Sequence, residues 1–81
     1  MDLVKRSFSN ELATLLTQLV NEDKADGTTA ISFDCMWAKV ATRLIRIGSA
    51  PKGTNAAFHA RETMREVIAS NRNLKSFISL V

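Results

Sequence analysis

The chain has 81 residues, 46% of them apolar, a single cysteine and a formal net charge of +3. That length and composition describe one small domain, too apolar for a disordered segment and short enough to bury only a modest core. One Cys35 excludes an intrachain disulfide and points to a reducing, intracellular setting, and no apolar run is long enough for a signal segment or a membrane span.

The first helix is expected over 8–21. Leu12, Leu15, Leu16, Leu19 and Val20 recur at helical spacing and make one broad apolar face. Ser7 or Ser9 is the expected cap, with Leu3, Val4 and Phe8 in a lead-in turn. Glu11, Thr14 and Gln18 point outward and carry no catalytic signature. The polar run 21–31 then reads as a linker, with Asp26-Gly27 as its turn signal. The stretch TTAISF favours extended backbone, but no second run alternates with period two, so a loop with Ile31 tucked inward is expected.

The central helix is expected over 33–47. Ser32 caps it, Asp34 sits at its positive end, and Gly48 supplies the positive-φ stop. Phe33, Met36, Trp37, Val40, Leu44 and Ile47 form its apolar stripe, thinned by Ala41, while Lys39, Arg43 and Arg46 recur on another side. The linker SAPKGT follows, where Pro51 and Gly53 stop the helix. A third helix is expected over 55–70, capped by Thr54 or Asn55. Its buried side is Ala57, Ala60, Met64, Val67 and Ile68, with Phe58 broadening that face or starting a second contact. Arg61 and Arg65 lie one turn apart on it, beside Glu62 and Glu66. A short fourth helix over 73–80 is conditional on a groove or partner, because six to eight residues are not stable alone. The fold class is all-α: a compact three- or four-helix domain with an amphipathic central helix, for which dimerisation would relieve the small core.

Charge is polarised along the chain. Residues 1–35 hold three basic and six acidic residues, whereas 36–81 hold eight basic and two acidic ones. Such a distribution steers an acidic partner toward one end.

Catalytic chemistry has little to stand on. His59 and Cys35 are each the only residue of their kind, which gives no structural zinc set and no spacing rule for a nucleophile–base pair. Cys35 lies in the first turn of the central helix, but Phe33, Met36 and Trp37 around it suit a buried thiol equally well. The 48–53 loop lacks the phosphate-cradling Walker spacing. No enzyme activity, metal or cofactor is expected.

Two binding roles remain. If the second and third helices pack as an antiparallel hairpin, Lys39, Arg43, Arg46, Lys52, Arg61 and Arg65 line one surface, extended by Arg72 and Lys75. That surface suits the phosphate backbone of duplex DNA or RNA. Aromatic interleaving is missing, which argues against single-strand stacking, and SAPKGT is longer than a helix-turn-helix turn. The alternative is a helical protein-interaction or homo-oligomerisation module that offers Leu74, Phe77, Ile78 and Val81 to a partner or to a second copy.

Overall fold

The computed structural model describes residues 2–80. They form helices α1 (Asp2–Ala25), α2 (Phe33–Arg46), α3 (Thr54–Ser70) and α4 (Arg72–Phe77). Two short strands, β1 (Ile31–Ser32) and β2 (Ile78–Ser79), pair in parallel with Ile31 opposite Ile78 and Ser32 opposite Ser79. The domain is all-α apart from this clasp.

α1 is the central strut: it packs against α2, α3 and α4, and α3 packs against α4. Its stripe Leu12, Leu15, Leu16, Leu19 and Val20 is buried. The core closes around it with Phe33, Met36, Val40 and Leu44 from α2, Met64 and Ile68 from α3, and Leu74, Phe77 and Ile78 from the C-terminal segment. The helical periodicity of each stripe therefore predicts its burial.

α1 is longer than expected at both ends. No Gly or Pro interrupts 2–25, so helix continues through Leu3, Val4 and the expected caps Ser7 and Ser9. At the other end, Asn21 to Ala25 remain helical, and the stop is Gly27 at φ +89°. There the Gly27 N–H donates to the Lys24 carbonyl at 3.0 Å and the Thr28 N–H to the Asp23 carbonyl at 2.9 Å. α2 ends the same way. Gly48 has φ +78°, its N–H donates to the Ile45 carbonyl, and the Ser49 N–H donates to the Leu44 carbonyl at 2.8 Å. Both ends are Schellman motifs, which satisfy last-turn carbonyls by placing a glycine in the left-handed region.

The starts of α2 and α4 are held by side chains. Ser32 Oγ accepts from the Cys35 N–H at 3.2 Å, and Asn71 Oδ1 accepts from the Leu74 N–H at 3.2 Å. Asn71 also forms the C-terminal cap of α3, so one residue separates the two helices. α3 begins one residue earlier than expected, with Gly53 at the cap position and no capping side chain.

Three further expectations are corrected. The 28–32 stretch is not only a loop: Ile31–Ser32 pairs with Ile78–Ser79. The two partners are 47 positions apart in sequence, so local alternation could not reveal the pairing. The fourth helix stops at Phe77, because Ile78–Ser79 extends to meet β1. Ile47, expected on the buried stripe, follows the last turn of α2 and is 52% exposed.

Candidate functional site

The eight basic residues do not share one surface. α2 and α3 are not packed along their lengths, so the hairpin that would have joined their cations does not form. Lys39, Arg43 and Arg46 stay together on α2, lining one open groove with Leu19, Glu22, Ala38 and Thr42. α1 supplies carboxylates to this stripe. Lys39 Nζ donates to Asp23 Oδ1 at 2.6 Å, and Arg43 Nη2 lies 3.3 Å from Glu22 Oε1. Asp23 is buried, and its Oδ2 has no partner.

Arg61 and Arg65 belong to a different cluster, at the start of α2. The Arg61 guanidinium pairs with Asp34. It also lies 5.2 Å from the centre of the Phe33 ring, and Arg65 stacks on the same ring at 4.3 Å. Arg65 Nη1 donates to the Leu80 carbonyl at 3.3 Å, and its Nε is 4.0 Å from Glu62 Oε2. These two arginines hold α3 to the head of α2 and to the chain end beyond β2. Cation–π contact and a charge-assisted hydrogen bond to a carbonyl are structural uses of Arg that a surface reading overlooks. The sequence signal was Phe33 beside Asp34, an aromatic and a carboxylate offered together to a guanidinium.

Among the described residues, Arg46, Lys52, Arg72 and Lys75 make no ion pair, and all four are exposed. Arg72 and Lys75 lie on α4, Lys52 in the 47–53 connection, and Arg46 at the end of α2.

The expected C-terminal partner surface is used inside the fold. Leu74, Phe77 and Ile78 are core residues, each at most 4% exposed. The short α4 is stable because this apolar edge fills the space beside α1 and α3. Val81 lies outside the described residues. Cys35, weighed as a buried thiol, is exposed, and so is His59, whose ring meets Phe58 edge-on.

A different apolar surface is left open. Ile45 and Phe58 are 68% and 59% exposed, and Trp37 is half-buried against the core. On α2, Asp34, Trp37, Ala41 and Ile45 lie three, seven and eleven residues apart from the first, which places them on one side of the helix. On α3, Phe58 is seven residues, close to two full turns, before Arg65, so the two share a side. Asp34 meets Arg61, and Phe33 meets Arg65. The two sides therefore face each other. The 47–53 connection joins the far ends of the two helices, and its Ala50 and Pro51 are half-buried. On this side of α2, Trp37 and Ala41 are half-buried and Ile45 is exposed, as is Phe58 on α3. Spacing along the sequence does not reveal this exposure, which depends on α2 and α3 not packing along their lengths.

The chain matches no protein-family model, no curated protein and no solved structure.

Proposed function

We propose that the domain is a helical protein-interaction module that docks its partner through the exposed apolar side chains of α2 and α3. The observation that carries this reading is the exposure of Ile45 and Phe58, large apolar side chains on two helices that do not pack along their lengths. Large apolar side chains left exposed by a fold mark interaction sites where they form a patch. Half-buried Trp37, on the same side of α2 as Ile45, adds an aromatic of the type that dominates interface energetics. The basic residues fit this role better than the phosphate-binding one. Four of the eight are held by carboxylates of the same domain.

The test is selection from a displayed library of helical peptides against the 81-residue domain, with Ile45→Ser/Phe58→Ser as the control. Both side chains are exposed, so the control keeps its melting temperature. Enrichment on the wild type that is lost on the control supports the reading. Enrichment that is equal on both, or absent, overturns it.

A second reading has one observation in its favour: Lys39, Arg43 and Arg46 line a single groove. Backbone-directed binding of duplex DNA or RNA there requires salt-sensitive anisotropy with a labelled duplex, lost in Arg43→Ala/Arg46→Ala. Arg65 is not a usable probe, because its replacement also removes the Phe33 stack and the Leu80 contact.

A further inference from the structure

We propose that Ser49 is a phosphorylation site for a protein kinase that selects an arginine three residues before its acceptor. The proposal stands on the 47–53 connection and is independent of any docking role of the domain.

Backbone singles out the acceptor. A hydroxyl inside a helix or strand reaches a kinase active site only when that element opens locally. Among the described residues, the serines and threonines outside helices and strands are Thr28, Thr29 and Ser49. Thr28 and Thr29 follow Glu22, Asp23 and Asp26, an acidic approach. Ser49 follows Arg43 and Arg46, in the spacing R-x-x-R-x-x-S. Ser9 and Thr42 also have a cation three residues earlier, Arg6 and Lys39, but both lie inside helices. The Thr42 hydroxyl is moreover engaged, donating to the Ala38 carbonyl at 2.9 Å.

Ser49 is half-buried, and its hydroxyl takes part in no hydrogen bond among the described residues. Beyond it, Ala50, Pro51 and Lys52 make no main-chain hydrogen bond with other main-chain groups, so this side can extend without breaking one. On the other side, the Ile47, Gly48 and Ser49 N–H groups donate to the Arg43, Ile45 and Leu44 carbonyls. Extending the chain back to Arg46 opens only this cap, and a helix end opens at far lower free energy than its interior.

Charge favours the same residue. Arg46 ends α2, is exposed and makes no ion pair among the described residues, so an acidic kinase pocket takes its guanidinium without breaking an internal contact. Arg43 is held by Glu22, which leaves Arg46 to carry the recognition. No carboxylate occurs between Asp34 and Glu62, so nothing in this stretch repels an acidic kinase surface.

In the transfer, Ser49 Oγ attacks the γ-phosphorus of ATP held with Mg²⁺ by the kinase. The Oγ–P bond forms, the bond from that phosphorus to the β,γ-bridging oxygen breaks, and ADP leaves. The hydroxyl proton passes to the carboxylate base of the kinase. The product carries about −1.5 to −2 charge at neutral pH. Beyond the C-terminal end of α2 the helix dipole opposes an anion. Arg46 and Lys52, three residues to either side and both unpaired among the described residues, offset that opposition.

The experiment incubates the 81-residue domain with ATP, Mg²⁺ and a kinase selective for arginine three residues before the acceptor. Intact-mass and fragmentation spectra are taken over time, and a peptide of residues 43–53 serves as the reference substrate. The expected result is one phosphoryl group on Ser49 in both domain and peptide, and none on Ser49→Ala. The rate on Arg46→Ala should fall about tenfold or more, with circular dichroism confirming that this exposed-site variant is folded. Modification of the peptide but not of the domain overturns the proposal, as does modification of neither. Transfer to another hydroxyl in place of Ser49, or an Arg46→Ala rate equal to wild type, also overturns it.

Discussion

The Asp23–Lys39 pair makes an asymmetric prediction. Asp23 is buried with one oxygen on Lys39 Nζ and the other unpartnered, whereas the Lys39 side chain is 45% exposed. Lys39→Met keeps the apolar stem but leaves a buried carboxylate with no partner on either oxygen. That costs about 1–3 kcal/mol. Asp23→Ala removes the carboxylate and lets the lysine head move into water. Asp23 also sits in the last turns of α1, where an anion opposes the helix dipole by about 0.3–1 kcal/mol and Asp is a weaker helix former than Ala by about 0.5 kcal/mol. These gains offset the lost half-exposed pair, itself worth about 1 kcal/mol or less. Asp23→Ala should therefore stay within about 1 kcal/mol of the wild type, and the double variant should match it. In a domain of this size about 1 kcal/mol moves the melting temperature by roughly 4–8 °C, so thermal unfolding by circular dichroism, with urea titration for free energies, resolves the order. The reasoning fails if Asp23→Ala is as destabilising as Lys39→Met, or if the two losses simply add.

Three further outcomes follow from the same contacts. Arg65→Ala should lose about 1–2 kcal/mol through the Phe33 stack and the Leu80 hydrogen bond, and Arg65→Lys should not restore it, because an ammonium cannot stack and donate in the same plane. Denaturant titration of the pair checks this. Asn71→Ala should cost about 1 kcal/mol and raise hydrogen exchange over residues 74–79 more than over α1, because a six-residue helix relies on its cap. Gly48→Ala should cost about 1 kcal/mol by thermal unfolding although a Cβ there meets nothing within 4 Å, because the penalty is the φ of +78° and not crowding.

Where one helix faces one core, the sequence was readable. The stripes of α1 and α2 and the stop at Gly48 follow from spacing and glycine chemistry, which are local. Ile47 was misread because periodicity continues past the residue at which the backbone leaves the helix. The β1–β2 clasp is not legible because strands of two residues carry no alternation, and their pairing depends on where α4 delivers Ile78. The basic residues show the same limit. Lys39, Arg43 and Arg46 fall together because one helix carries them, but whether Arg61 and Arg65 join them depends on how α2 and α3 pack. Their cations meet Phe33 and Asp34 instead. Leu74, Phe77 and Ile78 had the spacing of a docking face, and only the presence of α1 and α3 beside them shows which surface they meet.

The most direct measurement of the docking surface is a heteronuclear NMR titration of the labelled domain with a peptide enriched in the selection. The Trp37 indole N–H, the Ile45 methyl groups and the Phe58 ring should shift together and saturate together, while the buried Leu74, Phe77 and Ile78 signals and the Lys39–Arg46 groove remain in place. Shifts centred on α4, or on the groove between α1 and α2, would contradict the assignment of docking to the exposed apolar side chains of α2 and α3.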